Sequence, residues 1–244
     1  HKILLPYFVQ NMEARFYEPN VYEKRVANAT YNKVFGVDYL TISKWCVDWL
    51  KKDFDVDSKY APNGIDLSIF PFKERKFDGK IKILIEGNSK DKYKNVDESF
   101  KIVEKLDKDK FEINYLSYDK DPKKWYYVDN FYQKVPHDEV GKIYAENDIL
   151  IKTSILESFS YPPLEMMATG GLSLVVPNEG NIEYLKDGYN CLLYEQGNID
   201  EAVEKLNKLR EDKELRNKLI KNGLKTAEDR SWDKIEKEII NLYE

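Results

Sequence analysis

The hydrophobic pattern changes period at regular intervals along this chain. From Lys80 onward, short apolar runs alternate with stretches whose apolar residues recur three and four positions apart. "KIKILIEG" (80–87) predicts a strand, and "NVDESFKIVEKL" (95–106) a helix with Val96, Phe100, Val103 and Leu106 on one face. Further strands are predicted at "KFEINYLS" (110–117), "WYYVDNF" (125–131), "DILIKT" (148–153), "LSLVVP" (172–177) and "NCLLYE" (190–195). Helices are predicted between them at 137–147, 162–169 and 180–188, and three more close the chain at about 198–210, 212–229 and 231–243. Near-continuous apolar strands alternating with helices point to an α/β fold built on a doubly wound parallel sheet.

The first 66 residues carry a smaller set: strands at 2–9, 38–43 and 59–62, and helices at 21–35 and 44–53. So few strands make a poor sheet alone, and an apolar run starts directly after His1. Both features suggest an incomplete amino-terminal α/β domain, with the chain beginning inside it. Gly and Pro punctuate 63–79, which has no clear period and reads as a linker. The expected division is therefore 1–66 for the tail of the first domain and 67–230 for the second. Residues 231–244 are expected to form a closing helix that packs back on the first part.

Composition narrows the function classes. With 42% hydrophobic and 34% charged residues the chain is globular, not disordered. A net charge of −5, with Lys and Arg spread throughout, gives no nucleic-acid footprint. Cys46 and Cys191 lie far apart and the histidines are His1 and His137, so neither a disulfide framework nor a Cys/His metal centre is expected. No apolar run approaches membrane-spanning length, so the expectation is a cytoplasmic protein that touches a membrane peripherally at most. GxGxxG, Walker A, HExxH and GxSxG patterns are absent from the sequence, which disfavours the chemistries they serve.

The candidate chemistry centres on "ESFSYPPLE" (157–165), which follows the strand 148–153 and runs into a helix. In open parallel sheets ligands bind beyond the carboxyl ends of the strands, where Glu157 falls. Carboxylates hold sugar or ribose hydroxyls through charge-assisted hydrogen bonds. The Ser158–Phe159–Ser160 segment can offer amides at a helix start. A surface loop with Glu165 complementing a helix dipole fits the same residues. Lys94 stands at the start of a helix, against the dipole, which suits an intervening anion; a solvated lysine beside Lys90 and Lys92 fits too. Gly180–Asn181, after another strand, is either a further anion or sugar site or an ordinary turn.

Taken in order, these stretches resemble the donor-binding half of retaining GT-B glycosyltransferases, the group that includes sucrose and glycogen synthases. The matching elements are "PNGID" (62–66), "EGNSKDKYKN" (86–95), "VPHDEVGKIYAENDILI" (135–151), the Glu-x7-Glu motif "ESFSYPPLE", "EMMATGG" (165–171), "NEGNIEYLKDGYNCLL" (178–193) and "SWDKIEKEIINLY" (231–243). "YFVQNMEARFYEP" (7–19) and "YLTISKWCVDWL" (39–50) resemble the late amino-terminal domain of bacterial polysaccharide transferases.

The resemblance implies transfer of a hexose or deoxyhexose, with retention, from a nucleotide-diphosphate-sugar to a glycan or lipid-linked glycan acceptor. It implies neither cofactor nor metal. Glu165 would bind the ribose hydroxyls, Glu157 a donor-sugar hydroxyl, the Phe159 and Ser160 amides the sugar and diphosphate, and Lys94 the departing diphosphate. Val135 and Pro136 would border the base. Two departures stand out: Ser158 and Ser160 replace common glycines, and Asn88 replaces a usual arginine, leaving the phosphate grip to Lys94 with help from Lys90 or Lys92. A donor-binding module that needs a further domain or partner is the alternative.

Overall fold

The computed structural model describes residues 5–34 and 36–242. Its first part is a three-stranded parallel sheet, β1 (Leu5–Val9), β2 (Val37–Thr41) and β3 (Ser58–Tyr60), in that spatial order. It carries α1 (Tyr22–Ala29) and α2 (Lys44–Phe54). A small core of Val9, Tyr31, Tyr39, Trp49, Leu50 and Val56 joins them. Residues 2–4 of the first predicted strand lie outside the described residues. The helix predicted over 21–35 is α1 alone; the chain then turns at Thr30, so that Tyr31 packs edge-on against Trp49 at 4.8 Å.

The second part is a six-stranded, all-parallel sheet made of β4 (Ile81–Glu86), β5 (Phe111–Ser117), β6 (Asn130–Gln133), β7 (Ile149–Lys152), β8 (Leu172–Val175) and β9 (Leu192–Leu193). Its spatial order is β6-β5-β4-β7-β8-β9. The order reverses between β4 and β7, so the carboxyl ends of these two strands border the crevice where doubly wound sheets take ligands. Around it lie α3 (Val96–Glu104), α4 (His137–Glu146), α5 (Tyr161–Ala168), α6 (Ile199–Glu211), α7 (Lys213–Asp229) and α8 (Trp232–Ile240).

Alternation along each strand divides the core into two layers. Ile83, Ile85, Ile149 and Ile151 meet Val96, Phe100, Ala202 and Leu206 of α3 and α6. Leu84, Leu150 and Val175 meet Tyr144, Leu164 and Met167 of α4 and α5. The next residues on that second side, Glu86 and Lys152, are charged. They end their strands at the rim of the α4–α5 face.

Two further predicted elements come out differently. Residues 180–188 form turns, not a helix: the Asn178 side chain accepts from the amides of Gly180 (3.0 Å) and Asn181 (3.2 Å), while the Asn181 side chain accepts from the Asn178 amide at 2.9 Å. Asparagine side chains here take the backbone bonds a helix would use. The strand predicted over 125–131 begins only at Asn130. Tyr126 instead leaves the sheet direction to stack on Phe100 at 3.6 Å, with its hydroxyl donating to Asp97.

The two parts meet through specific polar contacts. Glu183, almost fully buried, accepts from the Lys44 amide at the start of α2 (2.9 Å), from Arg230 (3.0 Å) and from the Tyr60 hydroxyl. The Trp45 indole donates to the Ser158 carbonyl at 3.1 Å. Ile65 bridges Ser231, and Lys59 reaches the Leu242 carbonyl beyond α8 at 3.0 Å.

Candidate functional site

Beyond the carboxyl ends of β4, β5 and β7 lies a cavity of about 530 Å³. Glu86, Lys94, Tyr118, Val135, Tyr144, Glu157, Phe159, Tyr161 and Glu165 are among the residues lining it. The sequence placed Glu157, Glu165, Lys94, Phe159 and Val135 among its candidates, and the fold brings them to this one cavity.

Local structure explains how each arrives. Lys94 ends a short 3-10 turn (Lys92–Lys94), and Asn95 then takes a left-handed conformation (φ 49°) before α3 starts. The turn is tied to the loop after β7: the Ile155 amide donates to the Tyr93 carbonyl (2.9 Å) and the Thr153 hydroxyl to the Asn95 carbonyl (2.8 Å). Lys94 and Glu157 are thereby held face to face at 2.8 Å, both largely buried. On the far side of Glu157, Gly180 allows close approach; a Cβ there would overlap the Glu157 carbonyl carbon (2.6 Å) and that of Ser158 (2.7 Å). Pro162 and Pro163 lie in the first turn of α5, where the missing amides cost no helical bond. Glu165 follows on the cavity side.

The charges are shared among neighbours. Lys152, buried and only 1% exposed, donates to the Glu86 carboxylate and lies 3.9 Å from Glu157. Burial would push the Glu86 carboxyl up, but Lys152 and Lys94 outweigh it and hold it below its usual value. For Lys94 the order is the same: burial opposes the charge, and Glu157 and Glu86 more than restore it, so its pKa is raised. Glu165 behaves differently. Burial raises its carboxyl to about 7, with Glu86 adding to the rise and a Tyr144 hydrogen bond and Lys152 opposing it.

The remaining candidates sit elsewhere. Ser158 and Ser160 flank the wall residue Phe159. The Ser158 carbonyl is taken by Trp45, and the Ser160 hydroxyl is buried without a hydrogen-bond partner among the described residues. The amides of Phe159 and Ser160 likewise make no hydrogen bond within the described residues. Asn88 closes a turn on the Lys90 amide (3.1 Å), Lys90 is exposed, and Pro136 caps α4; none of the three lines the cavity. Asn181 is fully buried and its side chain is occupied with the Asn178 amide and the Val176 carbonyl.

Sequence reasoning passed over Glu86, Tyr144, Tyr161 and His137. Lone charges ending two apolar strands (Glu86, and Lys152 beneath it) were the available signal. A second cavity of about 310 Å³ adjoins the first, sharing His137, Tyr161 and Glu165 and adding Asp66, Phe70 and Trp232. Carboxylates, one accessible ammonium and aromatic walls together suit a polyhydroxylated ligand carrying an anion. Among the described residues no group of three or more His, Cys, Asp or Glu is arranged to hold a metal ion, and no helix is long and apolar enough to cross a membrane.

This architecture is the GT-B fold. Sucrose-phosphate synthase from Thermosynechococcus elongatus superposes on 99% of the chain with a TM-score of 0.79 at 13% identity, the match covering 67% of that protein. The Anabaena protein HepE, solved in complex with UDP-glucose, matches 98% of the chain and 72% of its own, with a TM-score of 0.77 and 13% identity. In sequence, residues 129–226 match the family described as Glycosyl transferases group 1. An uncharacterized glycosyltransferase of Methanocaldococcus jannaschii is 32% identical over 107 residues, 44% of this chain and 30% of that relative. The chain matches between 24% and 30% of the length of such curated relatives.

Proposed function

We propose that this chain is the donor-binding part of a retaining glycosyltransferase that moves a sugar from a nucleotide-diphosphate-sugar to a glycan or lipid-linked glycan acceptor. The observation that carries the reading is the convergence of Glu157, Glu165 and Lys94 on one cavity at the reversal point of the sheet. Glu165 takes the ribose hydroxyls, Glu157 a sugar hydroxyl, and the free amides of Phe159 and Ser160 the sugar and diphosphate. Lys94 stabilises the charge that develops as the bond from the anomeric carbon to the diphosphate breaks and its electron pair moves onto phosphate. The acceptor enters on the same face, its proton passing to the leaving phosphate. Neither cofactor nor metal takes part in this reading. The group 1 match supports it, as does the UDP-glucose complex of HepE.

The reading assigns 67–230 to the donor and 1–66 to the acceptor side, with 231–244 tying them, in cytoplasmic synthesis of cell-surface polysaccharide. A second reading, donor binding without transfer by this chain alone, is favoured by its short first sheet, where Leu5 and Phe8 of β1 are exposed.

The test is calorimetric titration of UDP-, dTDP- and GDP-sugars into the chain and into Glu165→Ala. Binding of one nucleotide, weakened at least tenfold by the substitution (about 1.4 kcal/mol), is expected. Binding by none of them, or undiminished binding to Glu165→Ala, overturns the assignment.

A further inference from the structure

Glu86 has no role in the reading above, yet its carboxylate faces the cavity. Its Oε2 is taken by Lys152, while Oε1 accepts no hydrogen bond among the described residues. The side chain keeps 25% of its surface exposed, and it is the cavity that exposes it. Beneath it Lys152 is sealed from solvent and does not line the cavity. Fold stability is a poor reason for such a pair. A buried ion pair is often no better than an apolar pair of the same size, and sometimes worse. Leucine or isoleucine at both positions would continue the layer formed by Leu84 and Leu150. The useful product of the pair is an ionised carboxylate with one oxygen free.

Position says what that oxygen can meet. Lys152 contacts both Glu86 and Glu157, so the two carboxylates stand side by side on the cavity wall. Lys94, on the other side of Glu157, marks where a diphosphate's charge would be met. An oxygen beside Glu157 therefore reaches the group attached to the diphosphate, while Glu165 lies in the part shared with the adjoining cavity. We propose that Glu86, held ionised by Lys152, is a second hydroxyl acceptor for the transferred sugar and a determinant of which sugar is bound. Glu86 and Glu157 together then grip two hydroxyls of one ring, which favours a fully hydroxylated hexose over its deoxy counterpart. The proposal rests on the donor-site reading, and the experiment separates the two.

The variants are Glu86→Gln/Lys152→Met, which removes both charges and strands neither, and Glu86→Gln alone, which leaves Lys152 beside Glu157. Far-ultraviolet circular dichroism and melting check that each is folded. Calorimetry then gives the dissociation constants of UDP and UDP-glucose, and of the GDP–GDP-mannose and dTDP–dTDP-rhamnose pairs, for wild type and variants. The ratio of the sugar-nucleotide constant to that of its parent nucleotide is expected to rise at least fivefold in both variants for the sugar the wild type accepts. The parent nucleotide itself should change less than twofold. An unchanged ratio, with nucleotide binding still lost in Glu165→Ala, overturns the role of Glu86 and leaves the donor site standing. Wild type that binds none of these ligands overturns both.

Discussion

The Lys94 ammonium and the Glu157 carboxylate, 63 positions apart in sequence, stand 2.8 Å apart on the wall of one cavity. Each therefore satisfies the other. In the proposed reading, a diphosphate arriving at Lys94 would draw that ammonium away from Glu157 and leave the carboxylate open to a hydroxyl. A single pair would then link anion binding to the freeing of a hydroxyl acceptor.

Lys94→Met is accordingly expected to weaken nucleoside diphosphate binding at least tenfold, about 1.4 kcal/mol. The remaining affinity should depend less on salt, because a charge contact has gone. Titrations at low and high ionic strength check both. Undiminished binding would remove Lys94 from the site.

Glu165 gives a pH signature. Its carboxyl is raised from 4.5 to about 7, so the folded protein holds that proton more tightly than the unfolded chain does. The stability this confers is full below about pH 4.5 and is lost as pH rises through about 7. Glu165→Gln should therefore melt higher than wild type above pH 7, with the advantage shrinking as pH falls. If binding needs the ionised form, nucleotide affinity of the wild type should increase over the same interval. Melting curves and calorimetry across that window test the two statements separately.

Gly180 has an ordinary backbone, so only space opposes a side chain there. An added Cβ would overlap the backbone at Glu157 and Ser158. Gly180→Ala is expected to cost about 1–3 kcal/mol, the usual range for overpacking, and to weaken donor binding by displacing Glu157. Denaturant melts with a parallel nucleotide titration would show it; an unaffected titration would mean the loop yields elsewhere.

Trp45 belongs to α2 yet donates to the Ser158 carbonyl at 3.1 Å. Trp45→Phe keeps an aromatic ring and removes the donor. A stability loss of about 1 kcal/mol is expected, with a change in nucleotide affinity because the loop bearing Glu157 loses its tether. Equal affinity in the two proteins would make the contact purely structural.

Much of the second sheet was legible because its strands are apolar on both faces and its helices have one apolar face. Spacing also singled out Glu157, Glu165 and Lys94, which the fold then brings to one cavity. The failures have local causes. Asn178 and Asn181 capture backbone amides over 178–181, and the attraction of Tyr126 for Phe100 overrides a strand-like run. The partnership of Glu86 and Lys152 was hidden for another reason. Each reads as a charge ending an apolar strand, and only the crossover that sets β4 beside β7 makes them partners. Glu183 is similar: nothing near it in sequence announces Lys44, Tyr60 and Arg230.

The two-layer alternation of β4 and β7 also governs how the gene can change length. Ile83 and Ile85 face the α3–α6 layer, while Leu84 and Glu86 face the opposite way. Loss or gain of one codon within either strand would reverse every side chain beyond it. Glu86 or Lys152 would then point into the apolar packing around Val96 and Phe100, and its partner would be stranded. Lineages could still lengthen or shorten the loops outside these strands. Within 81–86 and 149–152, single-residue insertions and deletions should be purged, while substitutions that preserve the count remain open to trial.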